Sequence, residues 1–187
     1  GRVVIAEAAF SYKQLLVRVD LVVKENDHLY LYEVKAKSVS EDEPFINSKG
    51  TAILSNWVEY LYDIAFQRYV VRNSVSNQGY KVKANLLLVN KSTTTDIDGL
   101  HQFFKVYSEN GRIRVETKAG TCRKDLGSTI LKAIPVDDVC DKIENEFTVP
   151  SDLYANLSFE EFIYQSAEHY LSDDRIATPL GAKCKSC

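Results

Sequence analysis

A chain of 187 residues, 45% hydrophobic and 26% charged, has the make-up of one ordinary globular domain or of a domain with an appendage. No segment approaches the roughly 20 apolar residues of a membrane span, and the N-terminal GRVVIAEAAF lacks the layout of a secretory leader. A formal net charge of −3 argues against a protein that coats nucleic acid non-specifically, while leaving room for a local basic groove.

Residues 2–10 and 14–24 are rich in Val, Leu and aromatic side chains and predict two strands. KEND, residues 24–27, is a turn, because Asn and Asp tolerate unusual dihedrals. HLYLYEVKA, residues 28–36, predicts the returning strand of an antiparallel hairpin. Residues 37–52 are polar, broken by Pro44 and Gly50, and read as a loop. A long helix is expected over 53–73, where Leu54, Trp57, Val58, Leu61, Ile64, Ala65 and Tyr69 recur at helical spacing. YKVKANLLLVN, residues 80–90, ends in a continuous apolar run that suits a central strand covered on both faces. A short helix is expected near 98–106, a strand over 111–118, and amphipathic helices over 136–147 and 158–171. The order predicts an α/β fold with a small mixed sheet flanked by helices.

Three charges interrupt the first strands. Side chains alternate, so Glu33 and Lys35 share a face with Leu29 and Leu31, about 7 Å apart along the strand. If the hairpin turns at 25–28, Asp20 comes near Glu33. Two close carboxylates repel unless one is protonated or a cation lies between them. Mg²⁺ or Mn²⁺ suits such oxygens. A lysine beside them can orient a metal-bound water or oppose charge on a phosphoryl oxygen. A Glu-x-Lys pair on one strand face is equally a surface salt-bridge pattern, and the tripeptide alone carries little.

RVDLV…LYLYEVKAKS resembles the PD-(D/E)XK nuclease motif in its RecB-type form: an Asp, a hairpin, then Asp or Glu, a hydrophobic residue and Lys. YLYDIAFQRYVV is similar to the following helix of those nucleases, with Gln67 matching its glutamine. The usual tyrosine four residues on is Val71 here, and Tyr69 stands at the second position instead. IAEAAF resembles the segment carrying a further glutamate, matched by Glu7. The combination is similar to uncharacterised bacterial proteins with a RecB-like nuclease domain and to CRISPR-associated exonucleases, over residues 5–91. The resemblance implies a restriction-endonuclease-like core over 1–150 and a helical extension over 151–187. It implies a Mg²⁺- or Mn²⁺-dependent nuclease, most simply a DNA exonuclease, with Asp20, Glu33, the Val34 carbonyl and Glu7 at the metal. Asp20, Glu33, Lys35 and Gln67 would be the catalytic set. Glu7 could equally be an exposed glutamate, and Gln67 a helix-surface residue paired with Asp63 at i−4. An inactive nucleic-acid-binding or scaffold module on the same fold is the alternative.

Arg68 and Arg72, on the helix of Gln67, are candidate contacts to DNA, single-stranded DNA included, with Tyr69 beside them. Lys13, Lys37, Lys81, Lys83 and Lys91 flank the expected core strands. No base-reading element is visible. Cys184 and Cys187 form a CxxC that suits zinc or iron–sulfur but supplies only two ligands. PLGAKCKSC resembles the start of the C-terminal cysteine group of RecB-type relatives carrying an iron–sulfur staple, which implies a 4Fe-4S cluster in a longer chain. The chain starts at Gly1 and contains no Met, so residues upstream are expected. Cys122 and Cys140 read as ordinary core or surface residues. Without a leader the expected location is the cytoplasm, with thiols reduced.

Overall fold

A computed structural model describes residues 1–149 and 156–176. Its strands are β1 (Arg2–Tyr12), β2 (Leu15–Glu25), β3 (His28–Val39), β4 (Lys81–Asn90), β5 (Phe104–Glu109), β6 (Arg112–Thr117) and β7 (Leu131–Pro135). Its helices are α1 (Val58–Ser74), α2 (Asp137–Asn145) and α3 (Phe159–Leu171). Five strands make one sheet in the order β1-β2-β3-β4-β7, and β5 pairs with β6 alone. The chain divides into two compact units, one built from residues 1–35, 44–87 and 133 onward, the other from 36–43 and 88–132.

In the first unit, β1, β2 and β3 form an antiparallel meander. The turn between β2 and β3 falls at Asn26, whose φ of 53° is left-handed, a conformation that Asn accepts more readily than most residues. β4 follows β3 in parallel: Lys81 donates to the Asp27 carbonyl at one end of the pair and Lys91 to the Val39 carbonyl at the other. β7 runs antiparallel to β4, since Val136 bonds Ala84 and Asn90 bonds Ile130. The α/β architecture with a mixed sheet and flanking helices is thus as expected.

α1 starts at Val58, five residues after the expected Ile53. Ile53 is bridged instead to Ile46, and Leu54 donates to the Phe45 carbonyl, so tertiary pairing takes residues that helical periodicity would claim. From Leu61 onward α1 buries Ile64, Ala65, Gln67, Arg68, Tyr69, Val70 and Val71, nearly its whole circumference. A helix buried on all sides is an inner element. Fully buried Val19, Leu31, Ile64, Val71, Leu86 and Ile143 form the centre of this unit. Each such side chain stabilises the fold by about 1.5–3 kcal/mol.

α2 buries Cys140 and Ile143. α3 opens on a capping box, in which Ser158 accepts from the Glu161 N–H and Glu161 accepts from the Ser158 N–H.

In the second unit the expected helix near 98–106 is a single 3-10 turn, Leu100–Phe103, followed by β5. Asn110 and Gly111 both have positive φ, as a two-residue hairpin turn requires, and this Asn-Gly turn pairs Val106 with Val115. β7 lies outside the expected strands. It is five residues long and ends in Pro135, which suits its place at the end of the strand order.

Candidate active site

Asp20 lies where β2 changes the face it buries. Leu15, Val17 and Val19 are buried, and the next buried position is Val22, so the alternation slips by one residue at Asp20–Leu21. Across from it on β1 stands Glu7, flanked by the pairs Ala6–Leu21 and Ala8–Val19, with a left-handed φ of 56°. The β2–β3 ladder runs from Glu25–His28 to Leu21–Tyr32. One more step of that register puts Asp20 opposite Glu33. There the Asp20 side chain takes over as acceptor, with Oδ2 2.9 Å from the Val34 backbone N–H.

Glu33 is one of few buried charged residues, 6% exposed. Its Oε1 lies 2.5 Å from Lys35 Nζ, and its Oε2 accepts from Gln67 Nε2 at 2.7 Å. Burial pushes its carboxyl above the ordinary value of 4.5, and the negative charges of Asp63 and Asp20 push the same way. The bonds from Lys35 and Gln67 oppose that shift without cancelling it. Lys35 emerges on the same face two residues on, as the strand period dictates. Burial disfavours its ammonium, but the Asp63 and Glu33 carboxylates outweigh burial and hold the amine above its ordinary 10.5. Its Nζ sits 5.8 Å from the centre of the Tyr60 ring.

α1 supplies the remaining partners of Glu33 and Lys35. Tyr60, Asp63 and Gln67 recur at three- and four-residue steps and so share one helix face. Asp63 was not singled out as a site residue, yet it touches two of the expected ones. Its Oδ2 lies 2.8 Å from Lys35 Nζ, and its Oδ1 accepts from Gln67 Nε2 at 3.0 Å. The i−4 relation to Gln67 was the signal in the sequence: the helix pair and the site contact coexist. Gln67 is 5% exposed, and its Oε1 is buried with no hydrogen-bond partner. An orphaned buried acceptor of this kind calls for a donor or a cation.

Other expected residues go elsewhere. The Glu7 carboxylate pairs with Arg18 Nε at 2.7 Å, with both side chains more than half exposed. Arg68 is 4% exposed and spends its guanidinium on α2, reaching Asp137, Asp141 and Glu144. Arg72 pairs with Glu144 at 2.7 Å. Tyr69 is buried, donates to Glu160 at 3.0 Å and packs edge-on to Phe159. Arg68 and Tyr69 therefore serve helix packing rather than an open phosphate surface, because each step along α1 turns the side chain by about 100° from Gln67, whereas the Arg72 side chain stays 47% exposed beside Glu144. Lys81, Lys83 and Lys91 pair with Asp27, Asp137 and Glu43. Cys184 and Cys187 lie outside the described residues.

Among the described residues no three His, Cys, Asp or Glu side chains converge to cage a metal ion. Asp20 and Glu33 are two carboxylates on neighbouring strands, to which the nuclease resemblance would add the Val34 carbonyl as a neutral oxygen. Such a donor set fits a Mg²⁺- or Mn²⁺-type ion that keeps several waters and takes up substrate oxygen, rather than one fully enclosed by protein. The unpartnered Gln67 oxygen is a further hard acceptor within the same cluster of side chains. No family model, no curated protein and no solved structure matches this chain.

Proposed function

We propose that the chain is a Mg²⁺- or Mn²⁺-dependent nuclease that hydrolyses phosphodiester bonds in DNA, acting as an exonuclease. One observation carries the reading: a buried glutamate, Glu33, is held between Lys35 and Gln67 with Asp20 on the neighbouring strand. A fold concerned only with stability would place apolar side chains there, since buried charge is expensive.

Asp20, Glu33 and the Val34 carbonyl would hold the cation. When bound, it would acidify a water and neutralise charge on the phosphoryl oxygens. Lys35 presents an ammonium that donates to a non-bridging phosphoryl oxygen as negative charge develops there. Gln67 fixes the Glu33 carboxylate through Oε2 and so sets the direction of its other oxygen. The Lys35–Glu33 pair is the contact that substrate exchanges: Lys35 must release Glu33 to reach a phosphate.

The test is degradation of single- and double-stranded DNA with Mn²⁺ by wild type, Asp20→Ala and Lys35→Ala. The expected result is cleavage slowed by about 100-fold or more in both variants relative to wild type. Equal activity in all three proteins assigns the cleavage to a contaminant or the site to other residues.

A further inference from the structure

Asp63 divides its two carboxylate oxygens between two site residues. Oδ2 lies 2.8 Å from Lys35 Nζ and Oδ1 lies 3.0 Å from Gln67 Nε2. The first turns of α1 bring it there, and β3 brings Lys35. A lysine side chain has four rotatable carbons, so an ammonium with one partner is poorly fixed, whereas one with two is directed. Glu33 alone cannot fix it through a reaction, because the Glu33 carboxylate is also the group proposed to take a ligand.

We propose that Asp63 is a positioning residue, which keeps the Lys35 ammonium at the reacting centre when Glu33 is engaged. The inference rests on the nuclease reading above. Asp63 makes no contact with substrate or metal in this role. It acts through Lys35. Its side chain is 39% exposed, so an isosteric change there leaves the core of the unit untouched.

Asp63→Asn, Asp63→Glu, Lys35→Ala and the double variant Asp63→Asn/Lys35→Ala form the test. Steady-state cleavage of DNA with Mn²⁺ is one readout. The ¹H–¹⁵N signal of the Lys35 ammonium in metal-free protein is the other, since that signal persists only while the ammonium is held. We expect Asp63→Asn to lower kcat about 10- to 100-fold with KM within about 2-fold, as loss of an orienting partner does. Asp63→Glu should recover most of that loss and keep the Lys35 signal, which Asp63→Asn should lose. The double variant should be no slower than Lys35→Ala alone, because a residue acting through Lys35 has nothing left to act on. A further loss of about tenfold or more in the double variant would overturn the inference by giving Asp63 a direct role. Unchanged kcat in Asp63→Asn would overturn it too. If wild type cleaves no DNA, the nuclease reading falls. The Lys35 signal still decides the positioning: its loss in Asp63→Asn and retention in Asp63→Glu support it, and its persistence in both overturns it.

Discussion

Arg68 donates from both Nε and Nη2 to one oxygen of Glu144, at 3.0 and 2.7 Å, and the other Glu144 oxygen accepts from Arg72 at 2.7 Å. The two buried partners, 5% and 6% exposed in their side chains, tie α1 to α2. Removing Arg68 leaves the buried Glu144 carboxylate with Arg72 as its remaining partner. Arg68→Ala should therefore destabilise the fold by about 3 kcal/mol in urea unfolding, the low end for a broken buried pair. Arg68→Lys should recover little, because a single ammonium cannot serve Asp137, Asp141 and Glu144 together. A loss of DNA binding with full stability would return Arg68 to a phosphate-binding role.

The bond from the Val34 N–H to Asp20 separates two contributions of the same side chain. An Asn at 20 keeps an acceptor oxygen and loses the charge. An Ala loses both. Unfolding experiments should place Asp20→Asn within about 0.5 kcal/mol of wild type and Asp20→Ala about 1 kcal/mol lower. Both variants should lose Mn²⁺-dependent cleavage by about 100-fold or more, since the charge is what a cation needs. Retained cleavage in Asp20→Asn would remove Asp20 from the metal.

The hairpin of β2 and β3 was legible because its alternation, its Asn-Asp turn and its charged interruptions all lie within a short stretch. Glu33 and Lys35 were legible as a pair for the same reason: a strand has a period of two. The role of Asp63 was harder to see, because it depends on how α1 is rotated against β3, and helical periodicity fixes a face without naming its neighbour. Arg68 shows the same limit from the other side. It is adjacent to Gln67 in sequence and about 100° away on the helix, and only α2 decides what it meets. β7 is hard to see because five residues ending in Pro135 carry too little pattern, and β5 because its first residues fall inside the helix expected near 98–106.

The two described cysteines should differ in reactivity. Cys140 is fully buried in α2, and burial pushes its thiol up to about 12, with the nearby Arg68 charge opposing only in part. Cys122 is exposed. Alkylation near pH 8, followed by mass spectrometry of the peptides, should modify Cys122 quickly and Cys140 only on unfolding, because the thiolate is the reactive form. Comparable rates at both sites in folded protein would mean that α2 opens readily.

Glu33 sets a pH dependence whose sign follows from its shift. Burial holds its carboxyl above the ordinary 4.5 in the folded chain. Below the ordinary value the group is protonated in both states and favours neither. As pH rises through the window from the ordinary value to the raised one, the unfolded chain ionises first, so stability falls. Above the window the loss is complete. Glu33→Gln removes the ionisation and keeps a polar group beside Gln67, while Lys35 keeps Asp63. The melting temperature of Glu33→Gln should thus match wild type near about pH 4 and exceed it near about pH 7.5. A variant that is equally stable at the low pH but less stable than wild type at the high one would mean that the ion pair with Lys35 outweighs burial. The same variant should lose cleavage at both pH values, so a gain in stability with a loss of activity would mark Glu33 as a charge kept for chemistry rather than for folding.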